Sequence, residues 1–138
     1  MRITVIALAA MAFASPAIAS VSTAALAALV GPVETSDSQR QAIGFIVEAQ
    51  LYASMCSEYA VDETVGMAVL LNARLSSTEL APDGRRKDVV TSELGKSAAF
   101  LKQTAEDYKW SEQQTACFLA NFAFGPNGRS VKGLMKPK

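Results

Sequence analysis

Apolar residues recur at helical spacing through most of the chain, and one run near the end is apolar on nearly every side. In residues 116–124 every residue except Asn121 is apolar. A surface helix has a polar side, so a run without one is typical of a buried helix. Ser111 and Gln114 stand before it at capping-box spacing, and Gly125, which permits a left-handed turn, ends it. We expect the other helices to pack against this one.

The pattern upstream predicts a first helix that begins at Ser36, with Gln39 at the capping-box position. Apolar residues follow at alternating spacings of three and four, which places them on one face of the helix. They are Ala42, Phe45, Ala49, Tyr52, Cys56 and Tyr59. This helix therefore presents an aromatic stripe that ends close to a cysteine.

Two further helical regions lie between the first helix and the last. Asp62 is a good N-cap residue for a second helix, which we expect to end near residues 76–77. A third region covers residues 85–109, where Gly95 either sits inside one helix or divides it into two. No segment alternates apolar and polar residues between turn signals, so we expect no strands.

The first nineteen residues have the pattern of a secretory signal peptide. Arg2 precedes an apolar stretch of 11 residues, 3–13, and Ala17 and Ala19 stand at the expected cleavage site before Ser20. Because residues 21–30 are also apolar, a later cut or an uncleaved anchor is the alternative, although the first stretch is short for a membrane span. The chain has no cysteine near this cleavage site, so we do not expect a lipoprotein. We expect a periplasmic or secreted protein without a stable membrane span after cleavage.

Cys56 and Cys117 are the two cysteines of the chain. In an oxidising compartment such a pair is most simply a structural disulfide. The alternatives are two buried free thiols and a redox pair, although the Cys-x-x-Cys spacing that lowers a thiol pKa is missing. The predicted fold is all-α, a small single-domain bundle of four to five helices tied by the Cys56–Cys117 disulfide. Residues 36–125 form this domain, residues 20–35 an apolar segment and linker, and residues 126–138 a basic irregular tail.

Charge is balanced over the chain and uneven along it. Thirteen basic and 13 acidic residues argue against nucleic acid as a partner, which demands a basic surface. Residues 34–63 carry six acidic groups and one basic group, whereas residues 125–138 carry four basic groups and no acid. The tail is either solvated or a docking strip for an acidic partner, and the two unlike surfaces favour protein binding.

The residue types of the chain exclude several chemistries. The chain has no histidine, which removes the usual general base, the Ser-His-Asp triad and the commonest metal ligand. Asp62 with Glu63, and Glu106 with Asp107, are adjacent carboxylates that glycoside hydrolysis would require. They are better explained by a helix start and a solvated helix face. We expect no enzyme activity, no metal and no cofactor.

Seven residues are candidate contacts for a partner or ligand. They are Asn121, Tyr52, Tyr59, Trp110, Arg85, Arg86 and Lys87. The aromatic residues line either an apolar pocket or, more commonly, a plain core. Asn121, alone in an apolar helix, either holds a neighbouring loop or orients a ligand, because a buried amide needs hydrogen-bond partners. The basic cluster at residues 85–87 lies at a helix start, where positive charge is unfavourable. It is either a solvated helix end or a contact for a partner or lipid headgroups.

The sequence therefore predicts an exported, non-enzymatic helical module that binds another protein or acts as a stress chaperone. A chaperone triggered by acid would depend on protonation of carboxylates, because there is no histidine to titrate. The alternative is a carrier of an apolar small molecule or lipid that uses an aromatic helical interior.

Overall fold

The computed structural model describes residues 34–138, and the predicted signal peptide and residues 20–33 of the segment after it lie outside the described residues. The described elements are α1 (Asp37–Met55), β1 (Tyr59–Val61), α2 (Glu63–Asn72), a 3-10 helix (Ser77–Leu80), α3 (Lys87–Tyr108), α4 (Glu112–Phe124) and β2 (Met135–Pro137). This part of the chain is mostly helical, with four α-helices and one disulfide, as the sequence predicts. None of its helices is both long and apolar enough to cross a membrane.

The three predicted N-caps are confirmed. Ser36 and Gln39 form a reciprocal capping box at the start of α1, with both hydrogen bonds at 3.2 Å. Ser111 and Gln114 form the same box at the start of α4, with both bonds at 3.1 Å. The Asp62 side chain caps α2. Each cap satisfies N–H groups that have no partner within the helix, which stabilises the fold by about 1 kcal/mol.

The central helix of the fold is α1, and the prediction that the others pack against α4 is only partly correct, because α4 contacts α1 and α3 without being the centre. Helix α1 contacts α2, α3, α4 and β1. Of the predicted stripe, Ala42, Ala49 and Tyr52 are buried in this helix, together with Ile43, Ile46 and Val47, which the stripe leaves out. Phe45 is only partly buried, and Cys56 and Tyr59 lie beyond the end of the helix, because it ends at Met55. Helix α4 keeps Phe118 and Phe122 exposed on its outer side. The reason is size, because in a domain of four helices the other three can cover one helix, but each of those three keeps a solvent face.

Helices α2 and α3 differ from the sequence predictions in opposite ways. Helix α3 runs through Gly95 without a break, and a Cβ atom there would meet nothing within 4 Å. Helix α2 ends at Asn72, four residues earlier than the pattern indicates. Leu75 fits the helical stripe in sequence, but it reaches the core from the turn after α2, where Arg74 has φ 57°.

Two short strands are present where the sequence predicts none. Strand β1 pairs antiparallel with β2, in the register Tyr59↔Pro137, Ala60↔Lys136 and Val61↔Met135. Strands of three residues are too short to show an alternating pattern. Pairing returns the basic tail to the fold, and Leu134 and Met135 are fully buried. The sequence predicts an irregular tail, and this prediction is wrong for residues 134–137. Leu134 and Met135 hold this part of the tail against the core.

The predicted disulfide joins Cys56, directly after α1, to Cys117 in α4, and the described residues include no free cysteine. The bond closes a loop across a sequence separation of 61 residues. In the chain-entropy model a loop of this length stabilises the fold by about 4 kcal/mol. A disulfide indicates an oxidising compartment outside the cytoplasm.

Candidate functional site

Four aromatic side chains form a continuous series on the surface, which we call the aromatic strip. They are Tyr108, Trp110, Phe118 and Phe122, with exposed fractions of 64%, 39%, 47% and 45%. Consecutive ring centroids lie 5.1, 5.3 and 5.6 Å apart. Scattered exposed apolar residues are normal in proteins, but a contiguous group of large ones marks an interaction surface.

The strip is built where α3 turns into α4. Lys109 adopts a left-handed conformation with φ 56°, and the Trp110 N–H donates to the Ala105 carbonyl at 3.0 Å. This turn reverses the chain, so that the rings of Tyr108 and Trp110 stack with an interplanar angle of 28°. The other half of the strip needs no special backbone, because residues four apart on a helix lie on the same face.

The rings of the strip support one another. Phe118 and Phe122 stack at 15°, and Trp110 meets Phe118 edge to face at 66°. Such contacts contribute roughly 0.5–1.5 kcal/mol per pair beyond burial. Because neighbouring rings restrict each side chain, little conformational entropy is left to lose when a partner binds. Stacking also covers part of each ring face, so the strip offers mainly ring edges.

Arg129 lies at the Phe122 end of the strip. Its guanidinium carbon is 5.1 Å from the centroid of the Phe122 ring, and its backbone N–H donates to the Phe122 carbonyl at 3.0 Å. A cation–π contact at an exposed position contributes about 0.5–1 kcal/mol. Within residues 34–138 the guanidinium forms no ion pair. The cation–π contact therefore holds the Arg129 side chain in place, while no ion pair within residues 34–138 neutralises its charge.

An open depression, which we call the terminal pocket, adjoins the strip and has a volume of about 410 Å³. Its lining is Tyr59, Asn121, Phe122, Pro126, Asn127, Arg129 and Pro137. Phe122 and Arg129 therefore belong to both the strip and the pocket. Four of the lining side chains carry hydrogen-bonding groups, and in the described part of the chain none of these groups forms a hydrogen bond or ion pair with another side chain. The lining contains no acidic residue.

The loop after α4 closes one side of the pocket, and two glycines allow it to lie against the helix end. A Cβ atom on Gly125 would approach Asn121 Oδ1 to 2.5 Å, and one on Gly128 would approach the Ala123 carbonyl oxygen to 2.6 Å. Gly125 has φ −65°, so the expected left-handed turn is wrong there. Glycine is required at that position by close approach rather than by backbone conformation.

The sequence candidates on aromatic positions separate into core and surface. Tyr52 is fully buried and donates from its hydroxyl to Glu48 Oε1 at 2.6 Å, so it is a core residue and not a partner contact. Burial, with the Glu48 hydrogen bond, raises the pKa of Tyr52, and burial raises the pKa of Glu48. Tyr59 lies in β1 and lines the terminal pocket, and Trp110 belongs to the strip.

Asn121 is exposed and lines the terminal pocket, so its amide does not need the hydrogen-bond partners that burial would require. This single polar residue of the run is the signal that the sequence offered for an exposed face of α4. It lies beside Phe122 and three residues after Phe118, so it marks the side of the helix that meets solvent. The sequence offered no signal that Arg129 or Tyr108 belongs to the site. It does not show which ring a cation will cover or which rings will stack on each other.

The basic cluster does not act as one surface. Arg86 is buried, where its Nε donates to Glu79 Oε1 at 3.3 Å and its Nη1 to Thr35 Oγ1 at 2.7 Å. It therefore ties the loop before α3 to the chain before α1, rather than contacting a partner. Arg85 and Lys87 are exposed.

The described residues also contain a cluster of possible metal ligands and an open groove. Ligand atoms of Cys56, Cys117 and Glu58 lie within 4.8 Å of one another, but both sulfurs belong to the disulfide and offer no thiolate to a metal. An open groove of about 590 Å³ lies where α1, α2, the 3-10 helix and α3 meet, with aliphatic rather than aromatic lining. Neither place shares a residue with the aromatic strip, although Cys117 directly precedes Phe118 in the chain.

Comparison with known proteins finds no matching family model, no matching curated protein and no matching solved structure. The chemistry of the strip and the terminal pocket is therefore the basis for a functional interpretation.

Proposed function

We propose that the protein is a non-enzymatic module of an oxidising compartment that binds another protein through the aromatic strip. The observation that carries this proposal is the unbroken contact of four exposed rings from Tyr108 to Phe122. Tyr, Trp and Arg are the residue types enriched in the energetic centres of protein interfaces, and the strip with Arg129 contains all three. The Cys56–Cys117 disulfide supports the part of the proposal that places the protein in an oxidising compartment.

The geometry of the rings favours a protein as the partner. Stacked rings leave their edges outward, and edges insert between the apolar side chains of another protein. The rings are already ordered by their neighbours, so binding would cost little conformational entropy. A non-enzymatic role is supported by the absence of histidine from the chain and by the lack of an acid lining the terminal pocket.

The proposal is tested by photo-crosslinking in the exported fraction of the native host. Phe118 is replaced by p-benzoylphenylalanine, and the matched control places the same residue at Leu94, which is 42% exposed on α3 and outside the strip. We expect an adduct of one defined mass from position 118, absent from position 94 and lost when Phe122→Ser is added. Equal labelling from both positions, or no adduct from position 118, would contradict the proposal.

A carrier of an apolar small molecule is the second candidate, and one observation favours it. The aliphatic groove of about 590 Å³ is lined by residues such as Ile46, Leu70 and Val90 and has the volume of a small-molecule site. The aromatic interior does not offer comparable space, because Phe124 packs against Phe45 and Tyr52 with centroids 6.1 and 6.2 Å apart. Extra mass in the native spectrum of the purified protein, lost on denaturation, would support a carrier.

A further inference from the structure

The terminal pocket has the donor groups of an anion site. Arg129 brings a planar guanidinium with five N–H donors, and Asn121 and Asn127 each bring an amide NH₂ group. The Tyr59 hydroxyl is a fourth donor. The four residues that carry these groups line one depression, and no acidic residue is part of its lining. A ligand rich in acceptor oxygens would satisfy them.

The C-terminal segment that supplies part of the pocket lining is basic. Residues 125–138 carry Arg129, Lys132, Lys136 and Lys138 and no acid. Lys136 is paired with Asp62 Oδ2 at 3.7 Å, whereas Arg129 has no ion-pair partner in residues 34–138. The pocket therefore concentrates positive potential at one guanidinium, which attracts a single negative group.

The position of Arg129 joins this anion site to the strip. The guanidinium lies over the Phe122 ring at 5.1 Å, and Phe122 is stacked on Phe118 at 5.6 Å. Arginine binds a carboxylate with two parallel N–H···O bonds, and its planar fork is preorganised when it stacks on a ring. An apolar group on the strip and a carboxylate in the pocket can thus belong to one ligand.

We propose that the terminal pocket binds a carboxylate of the partner, and that strip and pocket together recognise a protein segment whose carboxylate stands beside apolar side chains. The inference rests on the proposed function of the strip. A carboxylate fits better than a phosphate, because Arg129 balances one negative charge and a phosphate group carries about −1.5 to −2 at neutral pH. The carboxylate belongs either to a chain terminus or to an Asp or Glu side chain.

Titration followed by NMR tests this assignment on the full mature chain. The first probe is acetyl-Ala-Leu-Phe with a free carboxylate, the second is the same peptide with a terminal amide, and the third is acetyl-Leu-Phe-Asp-Leu-amide. We expect an acidic probe to shift the side-chain signals of Asn121, Asn127 and Arg129 saturably, and the uncharged probe to leave them unchanged. The first probe reports a terminal carboxylate and the third a side-chain carboxylate, so either response supports the proposal.

Arg129→Gln and Lys132→Gln form a matched pair, because each removes one cation from the same tail and only Arg129 lines the pocket. We expect Arg129→Gln to weaken binding of the acidic probe about tenfold, as loss of a charged hydrogen bond does. Lys132→Gln should change it less than about twofold, which is the screened effect of a surface charge. The circular dichroism of both variants establishes that each is folded.

Three results would overturn the carboxylate assignment. They are equal shifts with the acidic and the uncharged probe, no shift with either acidic probe, and shifts by inorganic phosphate that match those of the acidic probe at equal concentration. The crosslink from position 118 separates this failure from that of the proposed function. If the crosslink persists while the acidic probes do not bind, the strip still binds a partner and the pocket assignment alone is wrong.

Discussion

Two aromatic clusters meet on α4, and they differ only in the side of the helix on which they lie. Phe124 faces inward and packs edge to face against Phe45 at 6.1 Å. Phe118 and Phe122 face outward and stack on each other at 5.6 Å. Phe118, Phe122 and Phe124 are the same residue type on the same helix. Residue type and spacing therefore place a ring on a helix face but do not say whether anything covers that face.

The polar groups of the two clusters show the same contrast. In the core, the Tyr52 hydroxyl is satisfied by Glu48 at 2.6 Å, as a buried donor must be. On the surface, Arg129 covers the Phe122 ring and keeps its N–H donors available to the terminal pocket. A satisfied polar group fixes a fold, whereas an available one beside an apolar surface suits a ligand.

Truncating one ring from each cluster gives the largest expected difference. Phe124→Ala removes a fully buried ring, and we expect it to lower the free energy of unfolding by about 3–5 kcal/mol. Phe118→Ala removes a half-exposed ring together with its two ring contacts and should cost less, about 1–3 kcal/mol. Urea unfolding measures both. Equal losses from the two substitutions would mean that the strip is part of the core.

Acid is expected to weaken the fold to a smaller extent. The backbone N–H of Val65, followed by Lys136, lowers the pKa of Asp62 below 3.8, and the backbone N–H of Ser76, followed by Arg86, lowers the pKa of Glu79 below 4.5. A carboxyl whose pKa is lowered by folding stabilises the fold at neutral pH. That stabilisation is complete above the ordinary pKa of the carboxyl. It is lost as the pH falls from that value through the lower pKa of the folded state.

Glu48 acts in the opposite direction, because burial raises its pKa and the fold gains stability when it is protonated. We therefore expect the urea midpoint of Asp62→Asn to fall less than that of the wild type between neutral pH and about pH 3, while Glu48→Gln falls more. If both variants follow the wild-type pH curve, these carboxyls do not control the acid response.

The smallest expected effect concerns the turn that positions the first half of the strip. Lys109 has φ 56°, a conformation that costs a residue with a Cβ about 1 kcal/mol. Lys109→Gly should relieve this strain and raise the urea midpoint, offset partly by the greater freedom of glycine in the unfolded chain. Arg74→Gly is a matched comparison, because Arg74 has φ 57° and lies outside the strip. A loss of stability in both variants would contradict the assignment of strain to these turns.

The sequence predicted the parts of the fold that depend on local chemistry. The capping boxes at Ser36 and Ser111 need only neighbouring residues, and the disulfide needed only a pair of cysteines in a chain whose sequence predicts export. The two strands could not be predicted from the sequence. They pair Tyr59–Val61 with Met135–Pro137 across more than seventy residues, and each is too short to show a period.

The candidate site was predicted only in part, and for a related reason. Trp110, Tyr59 and Asn121 were identified as candidates, and the structure brings the last two together in the terminal pocket. Tyr52 and Arg86 were also candidates and are buried in the fold. A periodic pattern gives the angle of a residue around its own helix, but which side is covered depends on the other helices. Here α1 occupies the centre and leaves one side of α4 open.

The most direct test of the account uses Trp110, which is the only tryptophan of the chain and lies within the strip. Its fluorescence is measured while the partner identified by crosslinking is added to the wild type, to Phe118→Ser and to Leu94→Ser. We predict a saturable blue shift that weakens at least about tenfold in Phe118→Ser and is unchanged in Leu94→Ser. Emission that does not change when the partner binds would contradict the central claim, because the partner would then occupy another surface.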